Sequence, residues 1–94
     1  MFVNFVLFSI KEGKEQEFKD WFKESNAVFS KFDGFISRTL LVSSSGQFAG
    51  IVQHKSRDTF MKMEASKERN EMRTKALAVF EAEPKASFYE VVDL

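Results

Sequence analysis

The first ten residues, MFVNFVLFSI, are mostly β-branched or aromatic and stop at Lys11-Glu12-Gly13, which predicts a strand over Met1–Ile10. One parity of that strand carries Phe2, Asn4, Val6, Phe8 and Ile10, the other Val3, Phe5, Leu7 and Ser9. Both faces are mainly apolar, the pattern of a strand whose sheet is covered on both sides. The period then changes. Phe18, Trp21, Phe22, Phe29 and Phe32 fall at offsets of 0, 3, 4, 11 and 14 residues, the apolar stripe of an amphipathic helix over Lys14–Lys31. Asp33-Gly34 ends it. Phe35–Val42 reads as a second strand, Ser43-Ser44-Ser45-Gly46 as a hairpin loop, and Gln47–His54 as a third strand. Ser56 is placed to cap a helix, with Asp58 in its first turn. Ser66 marks a second start, so a break is expected near Ala65, with a further helix over Lys67–Glu81. Pro84 closes the helical region, and Ser87–Val92 is the last strand.

The order β-α-β-β-α-β is that of a ferredoxin-like α+β domain, residues 1–94, with both helices on one face of an antiparallel sheet. The second face would then expose several Phe and Leu side chains, more than a soluble monomer usually shows. A homodimer with two sheets packed face to face is the expectation; the alternative is a monomer with a partly solvated sheet. Twelve phenylalanines against one tryptophan and one tyrosine point the same way. Fourteen basic residues balance fourteen acidic ones, which argues against nucleic acid as a partner. With no cysteine, thiol chemistry is excluded, and one histidine rules out a multi-histidine metal site within a chain. The apolar runs are too short to cross a bilayer and the start lacks a signal-peptide layout, so no membrane partner and a cytoplasmic location are expected.

Certain residues carry a resemblance beyond the fold. The first strand ends at Lys11-Glu12-Gly13, and Phe18 and Trp21-Phe22 follow on the helix. Phe32-Asp33-Gly34-Phe35-Ile36 is similar to a Pro-Gly-Phe turn with Asp33 in place of proline. Gln53-His54-Lys55-Ser56 leads into Phe60, and the chain closes with Phe88-Tyr89-Glu90-Val91. Over essentially its whole length the chain resembles the dimeric α/β-barrel superfamily, and within it the antibiotic-biosynthesis-monooxygenase-like (ABM) domains. The resemblance implies a dimeric α/β barrel and a pocket for a small apolar or aromatic ligand. The activity it implies is cofactor-independent oxygenation of an aromatic or quinol-like substrate. The alternatives are a non-catalytic ligand-binding or stress-associated protein, and a haem-binding or weakly haem-degrading one. In the haem-degrading branch an asparagine, a tryptophan and a haem-ligating histidine occupy the places held here by Val6, Met63 and Arg73, so haem is disfavoured and no cofactor is expected.

The candidate chemistry is sparse. His54 is the one side chain that titrates near neutrality and is the default base, at the end of the third strand; the alternative, a half-buried packing residue, is the more common role for such a histidine. Asn4 is polar on an apolar strand face and fits either a pocket or an edge. Met72, Ala76, Val79 and Phe80 define one face of the last helix, and Arg69 and Arg73 share its sector, as a clamp on a carboxylate or phenolate or as snorkelled, Glu-paired side chains. Trp21 could stack a substrate, and Met63 could line a pliable pocket, though both also suit a core. Arg38, mid-strand, is expected to form a salt bridge across the dimer.

Overall fold

The computed structural model describes residues 1–94. It contains β1 (Phe2–Ile10), α1 (Glu15–Phe29), β2 (Phe35–Val42), β3 (Phe48–His54), α2 (Arg57–Glu64), α3 (Lys67–Ala76) and β4 (Phe80–Glu90). The strands form one antiparallel sheet in the order β2-β3-β1-β4. The first strand runs through its centre, which explains why its two faces are both apolar. Phe2, Asn4, Val6 and Phe8 turn toward the helices, where Phe2 and Phe8 are buried in the core. Val3, Phe5 and Leu7 turn to the other face, which no element of the chain covers. Cross-strand pairing sets Ile51 opposite Phe5, Ala49 opposite Leu7, and Tyr89 opposite Val3 on that uncovered side. No helix is long and apolar enough to cross a membrane.

The core has two lobes. One is built on Phe8, Phe18 and Phe22, the other on Phe2, Phe29, Phe60 and Met63. The caps read from sequence form: Ser56 and Thr59 make a reciprocal capping box on α2, and the Ser66 hydroxyl accepts the Arg69 N–H at the start of α3.

Three expectations are corrected. The helix expected to reach Glu81 ends at Ala76, and the last strand starts at Phe80 rather than Ser87. Leu77 N–H bonds Thr74 O and Val79 N–H bonds Ala76 O, short turns that unwind the helix. Val79 still packs into the core at 4% exposure, so the spacing that mimicked a helix stripe is satisfied by a strand start instead. Pro84 accordingly sits inside β4, which it can do because β4 is an edge strand and Pro lacks only an N–H. The register of β1 against β4 slips on either side of Ser9, leaving Glu83 and Pro84 both opposite Phe8 as a bulge.

Arg38 does not point out to a partner. It lies on the helix side of β2, under α1. Its guanidinium donates to Phe22 O (3.2 Å), Asn26 Oδ1 (3.0 Å) and Ser25 Oγ. It also lies over the ring of Phe22 at 3.8 Å and near Phe29 at 4.9 Å. No carboxylate pairs with it. Burial pushes its pKa down to about 9, which still leaves it charged at neutral pH.

Candidate functional site

A cavity of about 680 Å³ lies between the helix face of the sheet, α2 and α3. Its floor is β1, through Asn4, Val6 and Phe8, and its roof includes Phe60 and Met63. Trp21 and Phe29 of α1 close the inner end, and β4 forms the far rim. Five of the six residues singled out from sequence meet here: Asn4, Trp21, Met63, Arg69 and Arg73 all line it. Each has a local reason. Asn4 follows from strand alternation. Met63 is an inward position of α2, whereas Arg69 is half-buried and Arg73 exposed on α3, reaching the cavity at its rim. Trp21 comes from the α1 stripe, and its indole N–H donates to Met72 O at 2.7 Å, which ties α1 to α3 and fixes the ring plane.

Asn4 is 6% exposed and is the polar group deepest on the floor. Its Nδ2 donates to Ser87 O at 3.4 Å, which assigns the amide orientation and leaves Oδ1 as an acceptor for a bound hydroxyl. The other polar groups are charged and lie toward the mouth. Arg69 Nη2 pairs with Glu64 Oε2 at 2.9 Å, and Arg73 Nη2 with Glu83 Oε1 at 3.5 Å. The Arg69–Glu64 pair is largely covered, with side-chain exposures of 24% and 34%, whereas Glu83 is 81% exposed. Glu64, Glu81 and Glu83 were missed as lining residues. Glu81 and Glu83 were missed because the stretch around them was read as helix end and closing loop, and because plain alternation from Phe88 and Ala86 sends them to the other face; the register slip beside Ser9 is what brings them to the cavity.

The sixth residue, His54, is elsewhere. It is fully buried behind the cavity wall, edge-on to Phe35 and Phe60. The Thr59 hydroxyl donates to Ser56 O (3.0 Å), so it accepts from His54 Nδ1–H at 3.0 Å. That leaves Nε2 an unprotonated acceptor, buried without a partner. The expectation of His54 as a base for a bound ligand meets this geometry: the pleat turns it inward under α2, away from the cavity, as a fully buried packing residue. Desolvation lowers its pKa from the usual 6.5. The unfolded chain binds a proton near pH 6.5 while the folded chain resists it, so stability is steady above that pH and falls below it. Urea unfolding between pH 7.5 and 5.5 should show a loss approaching about 1.4 kcal/mol per pH unit, the slope for one proton. His54→Gln should flatten it; an equal slope in that variant would assign the loss to other groups.

Haem iron usually takes His, Cys or Tyr from the protein. None of these faces the cavity: His54 is behind its wall and Tyr89 belongs to the uncovered sheet face. Met63 lacks the His with which Met shares haem iron. The lining does not fit a ligated haem.

No family model matches the sequence, and no curated protein matches it. Solved structures do. A Nitrosomonas europaea protein described as a candidate antibiotic biosynthesis monooxygenase superposes with a TM-score of 0.87 at 18% identity, over 99% of this chain and 100% of that one. Rv0793 from Mycobacterium tuberculosis gives 0.87 at 13% identity, over 99% and 96%. SnoaB, a cofactor-independent oxygenase from Streptomyces nogalater, gives 0.85 at 22% identity, over 99% and 95%. The four-stranded antiparallel sheet with its helices on one face is the α+β fold of these ABM-like structures, and this chain has it.

Proposed function

We propose that this chain is an ABM-type, cofactor-independent monooxygenase acting on a small aromatic or quinol-like substrate held in the cavity. The observation that carries the reading is a largely apolar chamber with a single deep amide, Asn4, on its floor. The likeness to SnoaB supports it at the level of fold. A flat ring sits against Phe8, Trp21 and Met63, and its hydroxyl donates to Asn4 Oδ1. The chemistry needs no other redox partner when the substrate is electron-rich. A quinol and O₂ give a hydroxyquinone and water: one oxygen atom enters the ring and the other leaves as water. The quinol supplies all four electrons. The protein's part is to orient the hydroxyl and exclude bulk water. His54 has no place in that step, and no neutral-range base lies in the chamber. That observation favours the second reading, a ligand-binding protein without turnover.

The uncovered sheet face belongs to the same proposal. Val3, Phe5, Leu7, Ile51 and Tyr89 form a continuous apolar surface that a second copy covers, giving a two-fold dimer of sheets.

Oxygen consumption with 1,4-dihydroxynaphthalene separates the two readings. Turnover above the protein-free rate is expected. Asn4→Ala should lower kcat/KM about tenfold, the effect of losing one buried hydrogen bond that orients the substrate. Saturable binding with oxygen uptake at the background rate would favour the binding reading. Unchanged turnover in the variant would remove Asn4 from the site.

A further inference from the structure

Five charged side chains ring the mouth of the cavity: Glu64, Arg69, Arg73, Glu81 and Glu83. Neither arginine is free. Arg69 is held by Glu64 at 2.9 Å and Arg73 by Glu83 at 3.5 Å, while Glu81 makes no ion pair. Each guanidinium has its carboxylate, and one carboxylate is left over, so the mouth is net negative by one. This alters the meaning of Arg73, which from sequence alone invites an anionic ligand.

Glu83 reaches Arg73 because of the backbone. The slip in the β1–β4 register places both Glu83 and Pro84 opposite Phe8. A bulge of this kind re-aims the side chains it carries, and it leaves its extra residue unpaired, so the N–H that Pro84 lacks costs no ladder bond there.

The geometry points to Glu83 as the residue that sets ligand charge: by occupying Arg73 it makes the cavity take uncharged hydroxyarenes and turn away aromatic carboxylates. The inference rests on the proposed ligand cavity and adds its specificity. An entering carboxylate must displace Glu83 from Arg73, exchanging one ion pair for another. It also sheds hydration and passes Glu81, all of which oppose entry. A neutral hydroxyl displaces no ion pair, is not repelled by Glu81, sheds far less hydration than a carboxylate and still finds Asn4 Oδ1.

The test compares 2-naphthol with 2-naphthoate, two ligands of one shape and different charge, by titration calorimetry. A low-salt buffer keeps the mouth charges unscreened. The wild-type chain is expected to prefer 2-naphthol by roughly tenfold or more. Glu83→Gln should shift the affinity ratio toward 2-naphthoate by roughly fivefold, the scale of a partly exposed ion pair. Adding Arg73→Met to it should cancel that shift. Thermal melts show that the variants fold. Equal wild-type affinities overturn the inference, as does a ratio unmoved in Glu83→Gln or a shift that survives loss of Arg73. Those results leave the cavity reading intact. Failure of both ligands to bind the wild type overturns that reading, and this inference with it.

Discussion

Gly34→Ala is expected to destabilise the protein by about 3–5 kcal/mol, combining a left-handed backbone with a steric overlap. Gly34 has φ +83°, a conformation in which a side chain is strained whatever its surroundings. Its surroundings are also closed. A Cβ there would overlap the Thr59 side chain, with Cγ2 only 2.6 Å away. Thr59 has little freedom to retreat. Its N–H bonds Ser56 Oγ, its hydroxyl donates to Ser56 O, and it accepts from His54. Gly34 O in turn accepts from Lys55 N–H at 2.7 Å. The turn after α1, the start of α2 and the end of β3 are therefore packed against one another at one glycine. Because Phe60 follows Thr59 and helps roof the cavity, the substitution should also weaken ligand binding. Urea unfolding followed by circular dichroism measures the first effect. A loss below about 1 kcal/mol would mean that the turn relaxes without resistance.

Ile51→Lys is expected to turn the proposed dimer into a monomer. Ile51 stands on β3 opposite Phe5, near the middle of the uncovered face. Burying an isoleucine contributes about 1.5–3 kcal/mol. Two-fold symmetry uses the residue twice, and the lysines would bring like charges together at the interface. Together these raise the dimer dissociation constant by roughly a thousandfold or more. Within one chain the position faces away from the helices, so the core lobes keep their contacts. Sedimentation should give twice the 10.9 kDa chain mass for the wild type and the single mass for the variant. A wild-type chain sedimenting at 10.9 kDa at micromolar concentration would show that the apolar face is left in water.

What could be read from the sequence depended on whether the pattern was local. The doubly apolar central strand, the α1 stripe, the hairpin and the two serine caps rest on neighbours within a few residues, and they stand where alternation and capping chemistry put them. The α3–β4 stretch was not legible. Met72, Ala76, Val79 and Phe80 satisfy a helical stripe, yet the last two enter the core from a turn and a strand. Short apolar runs do not distinguish these cases. That error hid Glu81 and Glu83, and with them the charge balance at the cavity mouth. Asn4, Trp21 and Met63 could be placed at the cavity because each is an anomaly or an inward position on a correctly placed element, and Arg69 and Arg73 because they lie on the part of the last helix that does form. His54 and Arg38 were assigned by chemical type, and chemical type says nothing about which way a pleat turns. His54 is inward under α2. Arg38 is inward under α1, satisfied by carbonyl, hydroxyl and amide oxygens and by ring faces instead of a carboxylate.

The central claim is that the helix face of the sheet, and not its uncovered face, receives the ligand. Trp21 is the sole tryptophan, so its indole N–H gives one isolated amide-type resonance, and it lines the cavity. A nitrogen–proton correlation spectrum recorded while 2-naphthol is added tests the claim directly. The Trp21 indole and Asn4 side-chain amide signals should shift together and saturate. Saturable shifts confined to Leu7, Ile51 and Tyr89 on the uncovered face, with Trp21 and Asn4 still, would contradict it.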